Sequence, residues 1–208
     1  PVIGTAISTR ATGAGLPDAN FFVFTCKILV AYRNRLVMLN TTEWDNGVQI
    51  NRQSRARWCQ NGTPLTQGAG ADAIAWADNK AGKGDFLDAP TTEAIVSAQF
   101  FKDTLIVFFE RSTWQLYYTG SNEISVFSWK RINTEFGCES MKSTIPFDQG
   151  TFAIGDKAII AANSIQVERI DLKIPDQVFN FSNTNNGPER VAGIRDYRRE
   201  MVYWTIPN

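Results

Sequence analysis

The stretch that decides the fold is AQFFKDTLIVFFERSTWQLYYTGSNEISVFSWKRI, residues 98–132. It consists of short runs rich in Phe, Ile, Val, Trp and Tyr, separated by turn residues at Lys102-Asp103, Glu110-Arg111 and Gly120-Ser121-Asn122. Runs of this composition are typical of β-strands, and turns this short connect antiparallel neighbours. The stretch therefore predicts four antiparallel strands that form one small sheet.

The strand–turn–strand part of this stretch recurs along the chain. Similar hairpins are predicted at four places, residues 31–39, 98–109, 152–160 and 192–204. They lie 69, 53 and 43 residues apart when aligned at corresponding positions, Leu36, Leu105, Ala158 and Met201. The last two distances are close to the roughly 40 to 50 residues of a propeller blade. Because one such sheet cannot bury both of its faces alone, repetition also predicts that the sheets stack on one another.

We therefore expect an all-β protein, a β-propeller-like array of four-stranded antiparallel blades. A β-sandwich is the alternative, because its strands have the same length and alternation. The length of 208 residues predicts a single propeller-like domain, residues 1–208. The chain starts at Pro1 without a methionine, which predicts a fragment of a longer protein. Residues 62–90 are rich in Gly, Ala, Asp and Asn and predict a long surface insertion.

Composition excludes several classes of function. The 21 basic and 21 acidic residues cancel, which argues against a free nucleic-acid-binding domain. The chain has no histidine, so catalytic triads and histidine metal sites are excluded. We predict no catalytic, cofactor-binding or metal-binding residue and no cofactor. The apolar runs are far shorter than the roughly 20 residues of a membrane span, so no membrane anchor is expected.

The cysteines also carry no recognisable motif. Cys26, Cys59 and Cys138 are far apart and odd in number. Without a CxxC pair, neither a zinc knuckle nor a thioredoxin-like site is available. We expect buried free thiols in a reducing compartment, and the alternative is one disulfide with a leftover thiol.

Three arginines precede a tryptophan in NRQSRARW, residues 51–58. Guanidinium groups beside an aromatic ring can bind phosphate or stack on bases. The chain has no excess of basic residues, which a nucleic-acid-binding surface would need. The favoured interpretation of Arg52, Arg55 and Arg57 is therefore a solvated strand face or a subunit contact.

Aspartates of the insertion are candidates for carboxylate chemistry. Asp78, Asp85 and Asp88 could act as a glycosidase pair or a calcium loop, but their spacing fits neither pattern. Asp is common in turns, so solvated turn carboxylates are the favoured interpretation. A hydrolase without histidine would need a defined carboxylate pair, which cannot be placed here. We therefore predict that the protein is not an enzyme.

The six tryptophans divide into two groups by their surroundings. Trp114, Trp129 and Trp204 lie in strand patterns, which predicts packing between sheets. Trp44 and Trp76 lie among turn residues and are candidates for an exposed contact. The strand from Met201 to Ile206 is expected to present an apolar sheet edge unless a mate covers it.

Several of these motifs occur together in one known family. The runs Arg35–Thr41, Arg55–Trp58, Gly84–Asp88, Thr104–Trp114 and Phe136–Cys138, in this order, give a pattern that resembles the β-propeller tail nozzle proteins of short-tailed bacteriophages, the tail tubular B-like or tail hub group. The resemblance covers most of the chain, from about Leu29 to Trp204.

The resemblance implies a virion structural protein of the phage tail. Such proteins form homo-oligomeric rings below the portal and adaptor proteins, and the genome leaves through the ring. The implied partners are other phage tail, adaptor or portal proteins, with DNA only as passing cargo. The implied location is the virion tail, assembled in the host cytoplasm. The alternative is a propeller or sandwich module that binds a glycan or a cell surface through the insertion and Trp76.

Overall fold

The computed structural model describes residues 7–64, 74–120, 125–173, 179 and 187–206. The prediction of an all-β protein is confirmed, because these residues form several antiparallel sheets and contain no α-helix. The chain divides into two compact units, Pro1–Thr92 with Gly120–Val126 and Glu93–Thr119 with Phe127–Asn208. The single domain of residues 1–208 stays a prediction.

The first unit contains one five-stranded antiparallel sheet in which the strands follow one another in chain order. Its strands are β1 (Ile7–Ser8), β2 (Phe21–Tyr32), β3 (Arg35–Asp45), β4 (Val48–Trp58) and β5 (Asp85–Asp88). The turns Arg33-Asn34 and Asn46-Gly47 connect the three long strands, and all four turn residues have positive φ. Positive φ at both central positions gives the turn type whose twist fits a hairpin. These turns therefore fix the register of β2, β3 and β4.

The prediction of a surface insertion at residues 62–90 is wrong for the residues that enter the core or the sheet, whereas residues 79–82 are exposed. Residues 74–77 are buried, and β5 pairs with β4 as the fifth strand of the sheet. Residues 65–73 of the insertion lie outside the described residues. The composition indicated a loop because the buried residues are mostly small and no β-branched run is present.

The inserted segment packs on the sheet through an apolar cluster. This cluster comprises Val23, Met38, Cys59, Ala75 and Trp76. Gly84 lets the chain approach this closely, since a Cβ atom there would lie 2.5 Å from the carbonyl oxygen of Trp58 and 2.6 Å from Cα of Trp76. A larger residue would push two backbone segments apart.

The second unit contains three antiparallel sheets that follow one another along the chain. The first sheet is formed by β6 (Ile95–Phe101), β7 (Thr104–Phe109), β8 (Thr113–Tyr118) and β9 (Phe127–Asn133). The second sheet is formed by β10 (Ile145–Pro146), β11 (Thr151–Ile154), β12 (Ile159–Ala162) and β13 (Val167–Arg169). The third sheet has two strands, β14 (Ala192–Asp196) and β15 (Met201–Thr205), after a 3₁₀ turn at Pro188–Arg190.

Each sheet of the second unit packs on the next one. The first strands of the sheets are in contact, β6 with β10 and β10 with β14. One apolar cluster joins the first and second sheets, and its largest members include Ile106, Phe108 and Ile160. Another joins the second sheet to the third, with Ile154 and the partly buried Trp204. The sheets therefore form a series in which neighbours share a buried layer.

All four predicted hairpins form. They correspond to β2–β3, β6–β7, β11–β12 and β14–β15. The four strands predicted within residues 98–132 also form one sheet, β6 to β9. The hairpins are not at equivalent positions, because β6–β7 begins its sheet whereas β11–β12 lies in the middle of its own. The alignment missed β10, which has only two residues and no β-branched run.

The three cysteines are free thiols. Cys59 and Cys138 are buried, as predicted, and Cys26 is half-buried. The disulfide alternative is therefore wrong. Within the residues that the structure describes, we find no helix long and apolar enough to cross a lipid bilayer.

Candidate functional site

Charged side chains collect on three adjacent strands of the first unit. Arg55 and Arg57 are alternate residues of β4, so both point to one face of the sheet. The flanking strands supply acidic partners, and the inserted segment supplies another. We call the five residues that form this ionic network the charged cluster: Glu43, Arg55, Arg57, Asp78 and Asp88.

Glu43 is the centre of the charged cluster. Its Oε1 accepts hydrogen bonds from Arg57 Nε at 3.0 Å and from Thr41 Oγ1 at 2.8 Å. Its Oε2 accepts hydrogen bonds from Arg55 Nη1 at 2.9 Å and from Arg57 Nη2 at 3.2 Å. Burial alone would raise the pKa of Glu43, but the two guanidinium groups outweigh burial and hold the pKa below its usual value. The carboxylate is therefore ionised at neutral pH.

Asp88 holds the other side of Arg55. Its two carboxylate oxygens accept from Arg55 Nε at 2.7 Å and Nη2 at 2.9 Å, a bidentate pair. Burial would raise the pKa of Asp88, yet the hydrogen bonds from Arg55 lower it. Burial would lower the pKa of Arg55, because it disfavours the charged guanidinium, whereas the hydrogen bonds of Arg55 to Asp88 and Glu43 raise the pKa. Each group thus stabilises the charged form of its partner.

An aromatic ring covers the two buried guanidinium groups. The Cζ atom of Arg55 lies 3.7 Å from the ring centroid of Phe86, and the Cζ atom of Arg57 lies 4.9 Å from it. Phe86 belongs to β5, directly opposite Arg57 in the register. A ring at this distance attracts a cation and excludes water from it. The cluster is therefore a structural network in which both arginines are paired with carboxylates.

The charged cluster corrects two predictions from the sequence. Arg55 and Arg57 are buried, so a solvated strand face is wrong for both. Asp78 is ion-paired and its side chain is only 13% exposed, so a solvated carboxylate is wrong for it. Asp88 lies in β5 and not in a turn, and it is ion-paired although its side chain is partly exposed. Asp85 is half-buried, and burial raises its pKa. The missed signal was the combination of alternate arginines in one strand with acidic residues in neighbouring apolar strands.

The tryptophan predictions have a mixed outcome. Trp76 is buried, and its Nε1 donates to the carbonyl oxygen of Pro64 at 3.0 Å, so an exposed contact through Trp76 is wrong. Trp44 is half-buried and stacks on Phe22. Trp114 is buried and meets Trp129 edge to face within one sheet, so packing between sheets stays a prediction for these two residues. It is confirmed for Trp204, which packs on Ile154 of the second sheet. The turn-rich surroundings of Trp76 concealed a buried ring.

No described residue of the second unit covers the outer side of its third sheet. In the register, Ile194 lies opposite Tyr203 on the side that faces away from the second sheet, and Met201 lies on the same side. Ile194 is 69% exposed, Met201 is 47% exposed and Tyr203 is 45% exposed. We call Ile194, Met201 and Tyr203 the outer face. In the described part of the chain β15 pairs only with β14, which leaves its far edge open.

Contacts of the Arg195 side chain connect the third sheet to the second. The Arg195 guanidinium lies 4.0 Å from the ring centroid of Phe147 and 4.8 Å from that of Tyr197. It donates to the carbonyl oxygen of Pro146 at 3.1 Å and to Glu200 Oε2 at 2.7 Å. Arg195 belongs to β14 and Phe147 directly follows β10, so these contacts connect β14 with β10. The outer face is therefore presented by an anchored hairpin.

These two regions differ in what they can do. The charged cluster pairs both of its arginines with carboxylates and stabilises the first sheet. The outer face presents apolar side chains to solvent and can associate with another sheet. Among the described residues, no group of three or more Cys, Asp or Glu side chains is placed to hold a metal ion.

Comparison with known protein families and with curated proteins finds no match to this chain. The resemblance to phage tail nozzle proteins therefore stays a prediction.

Proposed function

We propose that the chain is a structural protein of a bacteriophage tail and forms part of a nozzle or hub ring through which DNA leaves. The observation that carries this proposal is the series of stacked sheets in the second unit. Successive sheets share an apolar layer, and their first strands are in contact. In a propeller, blades of antiparallel strands are arranged in this way around a common axis.

The way in which the sheets bury their faces supports the blade interpretation. The strand β7 is buried from Leu105 to Phe109, so its sheet is covered on both sides. The third sheet is covered on one side only. A series of blades that ends on an exposed apolar face calls for a further sheet. We propose that this sheet belongs to an adjacent part of the ring.

The charge of the chain fits a passage for DNA. The formal net charge is zero. A strongly basic channel would bind phosphates tightly and retard the genome. The proposed partners are copies of this chain in a homo-oligomeric ring and neighbouring tail, adaptor or portal proteins. DNA is passing cargo, and the proposed location is the virion tail after assembly in the host cytoplasm.

The tail location is tested on whole particles. Antibodies raised against the full chain would be used for immunogold electron microscopy of virions from the source phage. The proposal predicts gold at the tail, and labelling confined to the capsid or absent from particles with an accessible tail would contradict it. A density map of the same particles would then show whether the sheets of residues 95–205 are arranged around an axis.

The role of the outer face is tested by mutation. Ile194→Asp places a charge at the centre of the outer face, whereas Ile165→Asp does the same at a turn residue that is 81% exposed. Analytical ultracentrifugation of the full chain is expected to show association that Ile194→Asp weakens at least about tenfold, because an unpaired charge in an apolar interface costs more than 1.4 kcal/mol. Equal association of the two variants would refute this role.

The alternative of glycan recognition receives no support from these contacts. The residue proposed for it, Trp76, is buried and hydrogen-bonded in the first unit.

A further inference from the structure

A small polar cavity lies beside the charged cluster in the first unit. Its volume is about 200 Å³, less than the roughly 300 Å³ at which sites for larger organic ligands begin. Four of the lining residues are arginines: Arg10, Arg52, Arg55 and Arg57. Three are acidic: Glu43, Asp45 and Asp78. With Asp88, which pairs with Arg55 from outside the lining, the four arginines are balanced by four carboxylates.

Two of the four arginines are already occupied. Arg55 and Arg57 donate to Glu43, and each has a further acidic partner in the charged cluster. Both line the cavity, but their charges are compensated by these carboxylates. Their hydrogen-bonding capacity is largely used.

The other two arginines have no hydrogen-bonded acceptor for their side chains among the described residues. The nearest acidic group to Arg10 is Asp78, with Nε and Oδ1 3.7 Å apart. The nearest to Arg52 is Asp45, with Nη2 and Oδ2 3.8 Å apart. Both distances exceed the 2.7 to 3.2 Å of an N–H···O hydrogen bond. The Nε atom of Arg52 is also buried and makes no hydrogen bond.

Arg10 is held in position by an aromatic ring. Its Cζ atom lies 4.5 Å from the ring centroid of Phe21, another lining residue of the cavity. A guanidinium that is fixed in this way loses little conformational freedom when it binds a ligand. Its planar fork of donors matches the oxygens of a phosphate or a carboxylate.

We propose that this cavity binds a small oxyanion of the phosphate type, with Arg10 and Arg52 as its direct ligands. The oxyanion supplies the acceptors that both guanidinium groups lack. The site does not depend on the proposed role in a phage tail, and either proposal can fail without the other.

The test is phosphate binding by the full chain at constant ionic strength, with chloride as the reference anion. Binding would be measured by ³¹P NMR titration and by the Tm. At a phosphate concentration about twenty times the dissociation constant, linkage predicts a Tm rise of about 4 to 7 °C. Arg10→Gln and Arg52→Gln are each expected to reduce the affinity at least about tenfold, because each removes a charged donor.

The matched control is Arg198→Gln, which makes the same change of charge at an exposed residue of the second unit. This variant is expected to bind phosphate as the wild type does. If Arg52→Gln fails to fold, Arg52→Lys replaces it in the test. This variant keeps the positive charge but lacks the planar guanidinium donors, and it is expected to bind phosphate more weakly than the wild type. An equal Tm rise in chloride and phosphate, or unchanged affinity in both Arg10 and Arg52 variants, would overturn the proposal. An equal response to acetate would assign the cavity to carboxylates and overturn its phosphate specificity.

Discussion

Replacing Glu43 by Gln removes the charge at the centre of the charged cluster. The side chains of Glu43, Arg55 and Arg57 are 7%, 6% and 1% exposed, so solvent cannot compensate the loss. Breaking a buried ion pair by removing one partner typically costs 3 to 5 kcal/mol. Because Asp78 and Asp88 remain as partners of the arginines, we expect a loss at the lower end of this range. The free energy of unfolding of the first unit should fall by about 3 kcal/mol.

The assay is hydrogen exchange of the full chain, followed by mass spectrometry on peptides from β4 in increasing urea. This measurement reports the first unit separately from the second. The matched control is Asp45→Asn, which removes a carboxylate from the same sheet. Asp45 pairs with Arg52 at 3.8 Å, and the two side chains are 46% and 34% exposed. Such a pair contributes only about 0 to 1 kcal/mol.

The pH dependence of the same variants adds a second measurement. The pKa of Glu43 is lower in the folded chain than in the unfolded chain. Its stabilisation is therefore complete above the unfolded-state pKa of about 4.3 and is lost as the pH falls through the lower folded-state pKa. The difference between wild type and Glu43→Gln should stay constant from about pH 7 to pH 5 and shrink below about pH 4. A loss at neutral pH no larger than that of Asp45→Asn would refute the reasoning.

Three further predictions concern packing and thiol access. Gly84→Ala should lower the free energy of unfolding by about 1 to 3 kcal/mol in thermal denaturation, because the new methyl group meets backbone atoms. The control Gly13→Ala should change it little, since no atom lies within 4 Å of the new Cβ. Phe108→Ala should cost about 3 to 5 kcal/mol in urea unfolding, since the ring is fully buried between two sheets; a cost below about 1 kcal/mol would contradict that packing. Peptide mapping after alkylation of the native chain should show Cys26 modified before Cys59, because Cys59 is fully buried and Cys26 is only half-buried. Burial raises the pKa of both thiols, so access decides the order, and the reverse order would contradict the described burial.

The hairpins could be predicted from the sequence because each is determined locally. The run from Ala98 to Phe109 contains two apolar strands and a polar turn, so that neighbouring residues alone decide the structure. The short strand β10 could not be predicted in this way. It pairs through only Ile145 and Pro146, and its position depends on contacts with β6 and β14 that lie far away in the chain.

The charged cluster escaped prediction for a different reason. A solvated arginine and a buried, paired arginine look identical in sequence, and only the register of β3, β4 and β5 decides between them. Net charge was misleading as well, since zero overall charge is compatible with strong local pairing. The partners of Arg55 lie 12 and 33 residues away in the chain, beyond the reach of any local pattern.

The order of the sheets in the second unit has a consequence for biosynthesis. Each sheet is built from strands that are consecutive in the chain, which favours rapid formation as the segment leaves the ribosome. After β9 ends at Asn133, the chain must be extended to Arg169 before the second sheet is complete, about 2 to 7 s at usual rates of translation. During that interval the side of β7 that carries Ile106 and Phe108 lacks its cover. A nascent chain stalled there would be a natural client for a chaperone, and the order of synthesis determines which apolar surface needs protection first.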